Sequence, residues 1–416
     1  MGTSGADRES GAGLDGPGPT GPATGARTGM PMGAPTTPIR LLAVSTYAEI
    51  GGGEVLFVDL LTALAARGFD VTLAVLGDGP VGDRARARGL AVVDAGPVSF
   101  RHPITVLRAA ARLRRTARAL GADVVHASNP KAQVVAAFAT AGLRVTRSVQ
   151  LLDPPPPGDH YLRVVRHLTA IRCTITAEST RAWAAVLPDR PVHLVEPGVD
   201  AAGLVARAAR GDAARVWREA GVAAGDERLV TVARLQRYKG VYDAVEVAGR
   251  LAATRTGATF LVVGPDEPFE PGARDALRSR IAALGLTGRV AVTGPLTDDD
   301  LAATVRDATL LVHAAHVETF GLVVVEALAL GTPVVGYAAP GPAGILADGG
   351  GAVVPVGDVA SLAAAVDHAL DDGELRARWE HECTTVAARY GLERMADGYT
   401  ALLPASLRAP RAERAT

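Results

Sequence analysis

The chain has 416 residues and a formal net charge of −1, and 48% of its residues are apolar. This length fits two or three domains with ordinary cores. The near-zero charge argues against a nucleic-acid partner or an anionic membrane surface. Two cysteines provide neither a disulfide framework nor a metal site. No apolar run reaches the ~18 residues of a membrane span, so we expect a cytoplasmic protein without stable membrane insertion.

The basic residues are strongly skewed toward arginine. The 43 Lys and Arg residues include just two lysines, Lys131 and Lys239, and Asn129 is the only asparagine. Such a skew is typical of a GC-rich genome. A lysine or asparagine that stands against this bias is therefore a candidate for a specific role.

Residues 1–37 are dominated by Gly, Ala, Thr, Pro and Ser. This composition predicts a disordered tail, because it cannot bury enough apolar surface to fold. The segment lacks the apolar core of a signal peptide. Met30 and Met32, close to its end, are alternative starts of the chain.

From residue 38 onward, short apolar runs alternate with amphipathic helices, which predicts parallel sheets covered on both faces. The first set of predicted strands is 39–44, 69–76, 92–93, 123–126, 145–151, 171–176 and 192–195. After a polar helical stretch at 200–225, a second set follows at 229–233, 259–263, 290–293, 310–313 and 333–336. The fold class is therefore α/β with two Rossmann-like, doubly wound units. Sites in such units lie at the carboxyl ends of the strands.

The segment after the predicted strand 310–313 carries two carboxylates, Glu318 in a loop and Glu326 within the following helix. The backbone N–H groups of Phe320, Gly321 and Leu322 lie at the start of that helix, where an anion is favoured. An anion site beside two carboxylates that can accept from diols fits a nucleotide sugar. The alternative is a capping Glu318 followed by a solvated Glu326, but the apolar neighbours of Glu326 argue against solvation.

Arg234 and Lys239 follow the predicted strand 229–233. Two cations at a strand end can clamp a diphosphate, with Arg supplying a planar fork and Lys a point charge. The alternative is a pair of ordinary surface bases.

These two segments, together with the loop Gly51–Gly53, resemble the retaining GT-B glycosyltransferases of family 4, also known as group 1. The resemblance extends over roughly residues 38–400. It implies a GT-B fold, in which two Rossmann-like domains face each other across a cleft. The implied domains are 38–200 for the acceptor, 201–385 for the nucleotide-sugar donor, and 386–416 for a helix that crosses back to the first domain and a tail.

The resemblance implies a role for each donor-side residue. Arg234 and Lys239 would hold the departing diphosphate, Glu318 the hydroxyls of the transferred sugar, and Glu326 the ribose. The remaining implied donor contacts are Gly52, Gly53, Gly264, Leu296 and the backbone at Phe320, Gly321 and Leu322. Simple turn geometry is the alternative for Gly52, Gly53, Gly264 and Leu296. Asp298–Asp300 are expected only to cap a helix.

On the acceptor side, Gln150 aligns with a position that is His in many relatives, and it cannot titrate. The leaving phosphate would then take the acceptor's proton, or Asp153 or His126 would compensate. Glu54 is an acceptor contact or a first-turn helix charge. Asn129 and Lys131 are acceptor contacts, with helix capping by Ser128 or Asn129 as the alternative. Residues 154–161 are predicted to form a proline-rich loop over this side.

The sequence thus predicts a retaining hexosyltransferase that moves a sugar from a nucleoside diphosphate, UDP rather than GDP, to a small soluble acceptor. The acceptor would belong to natural-product (antibiotic) biosynthesis or to small-thiol or cyclitol biosynthesis. No cofactor and no metal are expected. The alternatives are a cell-envelope or lipid-linked glycoconjugate transferase, a nucleotide-sugar epimerase, and an inactive nucleotide-sugar-binding paralogue.

Overall fold

Seven parallel strands form the first sheet of the computed structural model, which describes residues 38–46, 51–77, 79–155, 161–222, 227–267 and 270–408. The predicted disordered tail 1–37 and residues 156–160 of the predicted proline-rich loop lie outside these ranges. The strands are β1 (Arg40–Ser45), β2 (Asp70–Val75), β3 (Ala91–Asp94), β4 (Val124–Ala127), β5 (Thr146–Leu151), β6 (Ile171–Thr174) and β7 (His193–Leu194), in the spatial order β3-β2-β1-β4-β5-β6-β7.

Helices cover both faces of this sheet, since consecutive residues such as Leu41, Leu42 and Ala43 are all buried and strands buried on both faces read as continuous apolar runs. They are α1 (Gly52–Ala66), α2 (Pro80–Ala87), α3 (Pro103–Leu120), α4 (Pro130–Ala139), α5 (Tyr161–Leu168) and α6 (Ala177–Val186).

Six parallel strands form the second sheet, in the order β10-β9-β8-β11-β12-β13. The strands are β8 (Glu227–Val232), β9 (Ala258–Val263), β10 (Val290–Gly294), β11 (Leu310–His313), β12 (Val334–Tyr337) and β13 (Gly351–Val354). The helices are α7 (Ala201–Arg210), α8 (Ala213–Glu219), α9 (Val241–Ala252), α10 (Ala273–Ala283), α11 (Asp298–Asp307), α12 (Leu322–Ala329), α13 (Pro340–Leu346), α14 (Val359–Asp371), α15 (Gly373–Ala387), α16 (Leu392–Leu402) and α17 (Ala405–Arg408).

The strand order reverses between β1 and β4 in the first sheet and between β8 and β11 in the second. In doubly wound sheets, ligands bind at such reversal points, outside the carboxyl ends of the strands. The loops after β1, β4, β8 and β11 are therefore the places where a site is expected.

One strand, β13, was not predicted from the sequence. It begins in the run Gly349–Gly351, which looks like a loop, but it pairs with β12 along its whole length. A Cβ atom at Gly351 would lie 1.8 Å from the carbonyl oxygen of Val334. Glycine is thus present there because the edge strand β13 closely approaches β12, not because the chain turns.

Helix α16 runs back from the second half of the chain to the first sheet. Its Tyr399 hydroxyl lies 2.7 Å from the Ser148 hydroxyl on β5. Arg67, just after α1, pairs with Glu393 at 2.6 Å and Asp397 at 3.0 Å. One apolar core runs from α1 through to α12, so the two halves share packed surface. Within the described ranges, no helix has the length and hydropathy to cross a bilayer.

Candidate functional site

Arg234 and Lys239 lie in the segment that leaves β8, where a short 3-10 turn covers Arg237–Lys239. Gly240 ends this turn with a φ of +69°, and a Cβ atom there would lie 1.7 Å from the carbonyl oxygen of Ala314. Only glycine fits both the left-handed backbone and this contact. The turn is therefore pressed against the end of β11, which brings Lys239 to the loop that carries Glu318.

Lys239 and Glu318 form the centre of the site. Nζ of Lys239 lies 2.9 Å from Oε2 of Glu318, and the two side chains are 19% and 17% exposed. Burial favours the protonated carboxyl, but the charge of Lys239, the nearby His313 and the N–H of Phe320 outweigh it and hold the pKa of Glu318 below its ordinary value. Glu318 is thus an ionised, largely buried acceptor, suited to hydroxyl groups.

Arg234 forms an ion pair with a buried carboxylate that sequence reasoning missed. Its Nη1 lies 2.8 Å from Oε2 of Glu267, whose side chain is only 3% exposed, while 41% of the Arg234 side chain is exposed. Its Nη2 also donates to the Tyr238 hydroxyl at 3.2 Å. Glu267 lies shortly after β9, so an acidic residue near a strand end was the available signal. The pair fixes the guanidinium while leaving part of it open to an anion.

Helix α12 begins at Leu322, as predicted, with Gly321 in the left-handed region at its N-cap. The three backbone donors predicted for this helix start are not equivalent. The N–H of Phe320 engages the carboxylate of Glu318, and its ring packs on Tyr390 with the ring centroids 5.5 Å apart. Phe320 therefore stabilises the ionised Glu318, whereas Gly321 and Leu322 lie at the helix N-terminus, where an anion is favoured.

Glu326 is partly buried and lies near the charges of Asp59, Arg207 and Arg84, on α1, α7 and α2. Burial and the nearby Asp59 raise its pKa, the two arginines oppose them, and the net result is a pKa of about 7. The solvated alternative is thus not what the structure shows. A ribose contact by Glu326 stays a prediction.

For Gly264 and the aspartates after β10, the structure gives packing reasons. A Cβ atom at Gly264 would lie 1.8 Å from the carbonyl oxygen of Ala233, so the close approach of two strand ends accounts for the glycine. Leu296 packs partly buried against the apolar core. The cap of α11 is Thr297, not the aspartates as predicted. Asp298, Asp299 and Asp300 instead pair with Arg84, Arg210 and Arg215.

The glycine-rich loop lies opposite the start of α12. A Cβ atom at Gly52 would lie 3.5 Å from Leu322, and one at Gly53 would lie 2.4 Å from Leu152. Gly53 therefore makes room for Leu152 in the same half of the chain, while Gly52 faces Leu322 in the second half. Glu54 accepts from the N–H of Gly51 at 3.0 Å, which is the first-turn helix role.

Asp153 and Glu54 are the acceptor-side residues that the structure brings to the cleft. The hydroxyl of Thr319 donates to Asp153 across the cleft at 3.3 Å. Burial raises the pKa of Glu54, with the charge of Asp153 adding to the shift and that of Arg234 opposing it. Thr319, next to Glu318, was not predicted.

Two predicted acceptor residues point the other way, into the interior of the first domain. His126 is fully buried, bonds the Ser148 hydroxyl at 2.9 Å and lies between the rings of Phe57 and Tyr399. Its predicted place at the cleft is wrong, because its side chain lies under α1 and α16. Burial lowers its pKa to about 3.

Gln150 is likewise only 4% exposed and lines a small internal cavity together with His126. The side chain at the strand end beside Gly53 is instead Leu152, two residues further on. The position that was matched to a titratable residue in relatives is therefore not at the cleft, and an aliphatic side chain lies there.

Asn129 and Lys131 sit at the start of α4. Asn129 is the N-cap of this helix and accepts from the N–H of Ala132 at 2.9 Å. The capping alternative is thus the one that the structure shows for Asn129. Lys131 is exposed in the first turn, and no described contact joins it to the cleft carboxylates. Across the described ranges, no group of three His, Cys, Asp or Glu side chains is placed to hold a metal ion.

Comparison with known proteins agrees with this geometry. The family model described as glycosyl transferases group 1 matches residues 215–384, and the model described as glycosyltransferase family 4 matches residues 50–202. A D-inositol 3-phosphate glycosyltransferase of Acidothermus cellulolyticus is 29% identical over 88% of this chain and 90% of its own length. A 2-deoxystreptamine N-acetyl-D-glucosaminyltransferase of Streptomyces fradiae is 31% identical over 83% of this chain and 89% of its own.

Among solved structures, HepE of Anabaena, crystallised with UDP and glucose, superposes with a TM-score of 0.74 at 20% identity, over 87% of this chain and 98% of that one. The lipopolysaccharide glycosyltransferase WaaG superposes with a TM-score of 0.64 at 20% identity, over 88% and 98%. At this identity the likeness shows the fold, which is GT-B. The paired carboxylates and cations at the strand ends, the two matching family models and the full-length relatives lead to one conclusion: the chain belongs to the group 1, family 4 glycosyltransferases.

Proposed function

We propose that this glycosyltransferase moves a hexose from a UDP-sugar to a small cyclitol acceptor with retention of the anomeric configuration. The observation that carries the proposal is the Lys239–Glu318 pair beside the N-terminus of α12, with Arg234 held by Glu267. Donor UDP is favoured over GDP because the structural neighbour HepE binds UDP. The cytoplasmic location and the absence of any cofactor remain predictions.

The donor half, residues 201–385, would supply the electrostatics of the reaction. Arg234, Lys239 and the helix N-terminus at Gly321 and Leu322 would stabilise the charge that develops on the leaving diphosphate, which is commonly the largest catalytic contribution. Glu318 would fix the sugar by its hydroxyls. The side chain beside Gly53 is Leu152, which cannot take up a proton. The acceptor's proton would therefore pass to the departing phosphate on the same face.

The charges that face the acceptor favour one class of cyclitol. Arg234 and Lys239 are each matched by a carboxylate, whereas Glu54 and Asp153 add negative charge on the first domain's side of the cleft. A phosphorylated cyclitol would be repelled by this face, and an amine-bearing cyclitol would be attracted. The relative that acts on 2-deoxystreptamine is consistent with an aminocyclitol acceptor.

Replacement of Glu318 tests the donor site. The Glu318→Gln change should lower the rates of sugar transfer and of donor hydrolysis by about 100-fold or more, since a charge-assisted contact to the sugar is lost. UDP should still raise the melting temperature of the variant. Glu374→Gln, on an exposed first turn of α15, is the matched control. Unchanged transfer by Glu318→Gln would refute the site assignment, and a UDP-induced shift without any turnover would identify a binding paralogue.

The acceptor class is tested with the same enzyme and a panel of 2-deoxystreptamine, myo-inositol and inositol 3-phosphate. We expect the highest kcat/KM with the diamine and the lowest with the phosphate. A preference for inositol 3-phosphate would refute the aminocyclitol assignment but would not contradict the assignment of the donor site.

A further inference from the structure

A buried histidine lies beside Glu318, and so far it has entered only as a neighbour of that carboxylate. His313 is the last residue of β11 and is 4% exposed. Its Nε2 atom lies 3.9 Å from Oε2 of Glu318 and has no hydrogen-bond partner among the described residues. A separation of 3.9 Å is too long for a hydrogen bond. An unpaired polar atom at this depth is rare and calls for a partner.

The protonation states of the two side chains define what that partner must be. Burial lowers the pKa of His313 to about 4, a shift that the charge of Glu318 opposes and that of Lys239 reinforces. The ring is therefore neutral at pH 7 and can carry one N–H. Glu318, ionised by its contacts with Lys239 and Phe320, can only accept. A group between them must donate to the carboxylate and can accept from the ring, and a hydroxyl does both.

We propose that His313 and Glu318 together bind one hydroxyl of the transferred sugar, which donates to Glu318 and accepts from the Nε2–H of His313. An oxygen about 2.8 Å from each atom fits a gap of 3.9 Å. His313 thereby determines donor specificity, because a sugar that lacks this hydroxyl leaves two buried polar groups unpaired. The inference rests on the proposed function, since it places the donor sugar against Glu318.

The test is a double-mutant cycle between protein and donor. The enzyme and its His313→Leu variant are assayed with UDP-glucose and its 2-, 3-, 4- and 6-deoxy analogues. At one position, loss of the hydroxyl should lower the kcat/KM of the native enzyme roughly 10- to 100-fold relative to UDP-glucose. For the His313→Leu variant, the same deoxy analogue and UDP-glucose should have nearly equal kcat/KM values. The other positions should cost both enzymes equally. His313→Gln, which keeps an N–H donor, should recover part of the native penalty.

His316→Leu is the matched control, because His316 lies three residues further on and bonds Asp243 at 2.9 Å instead of facing Glu318. Its deoxy penalties should equal those of the native enzyme. A UDP-induced thermal shift shows that each variant is folded. If His313→Leu does not fold, His313→Gln takes its place in the comparison. Equal penalties in native enzyme and His313 variants at every position would overturn the inference. Failure of the native enzyme to turn over any nucleotide sugar would instead refute the proposed function.

Discussion

Two glutamates eight positions apart show how strongly the immediate surroundings decide the state of a residue in this site. Glu318 receives Lys239 and the N–H of Phe320, and its pKa falls despite burial. Glu326 faces the carboxylate of Asp59 as well as two arginines, and its pKa rises to about 7. The shared residue type therefore conceals different properties: Glu318 stays ionised at neutral pH, whereas Glu326 titrates near it.

The state of Glu326 predicts a pH-dependent stability. A carboxyl whose folded-state pKa lies above its unfolded value destabilises the fold as pH rises from roughly 4.3 to about 7, because the folded state then binds more protons than the unfolded one. The Glu326→Gln variant carries no such charge. The melting temperature of the variant minus that of the native protein, both without ligand, should therefore increase between pH 5 and pH 8. Glu374→Gln should show no such change, and a constant difference for Glu326→Gln across this range would contradict the shift.

The residues that sequence reasoning placed correctly and those it missed differ for a physical reason. Arg234, Lys239 and Glu318 follow strand ends closely, and the topology alone carries them to one edge of the sheet. Glu267 also follows a strand, but its pairing with Arg234, 33 positions away, is not visible in the spacing. Nor does spacing reveal that Nε2 of His313 lies near Glu318. His126 and Gln150 were misplaced because a position near a strand end does not tell which way the side chain points.

At the scale of secondary structure, the turn Arg237–Lys239 shows how one glycine can position a functional side chain. A Gly240→Ala change would place a methyl group on a left-handed residue and against the carbonyl of Ala314. The turn would have to move away from β11 and take Lys239 with it. We expect a melting temperature several degrees lower and weaker UDP binding, measured by thermal unfolding and calorimetry.

Gly68→Ala is a matched control for this change. Gly68 also has a positive φ, +85°, but a Cβ atom at this position would have no neighbour within 4 Å. The variant should show only the left-handed backbone cost, about 1–2 kcal/mol, and unchanged UDP affinity. Equal effects of the two substitutions on UDP binding would show that the contact with Ala314 does not position Lys239.

For the same reason, glycines limited what could be predicted at this scale. Apolar runs and their spacing located twelve of the thirteen described strands, because buried strands have a strong compositional signature. Strand β13 escaped since its glycine serves a close strand contact that is invisible in one dimension. A glycine in the sequence can mark a loop or a strand that another strand approaches closely. Only its neighbours in space distinguish the two cases.

For the whole molecule, the two sheets are joined by unequal connections. Helix α16 and the continuous apolar core form the extensive one. A much smaller connection is the ion pair between Arg84 on α2 and Asp298 at the start of α11, which lie 3.0 Å apart, with the aspartate side chain 60% exposed. Exposed pairs contribute about 0–1 kcal/mol. That is too little to hold the fold together but enough to shift an equilibrium between more open and more closed domains several-fold.

Disruption of this pair should therefore change donor binding more than stability. Arg84→Gln should raise the KM for the UDP-sugar roughly two- to fivefold with little change in melting temperature, and the native KM should rise with salt more steeply than that of the variant. Arg86→Gln is the control, since Arg86 bonds Asp83 within its own helix. Because Arg84 also influences Glu326, the charge swap Arg84→Asp with Asp298→Arg separates the two effects. Recovery of the native KM by the swap assigns the effect to domain closure, whereas a KM that stays high assigns it to Glu326.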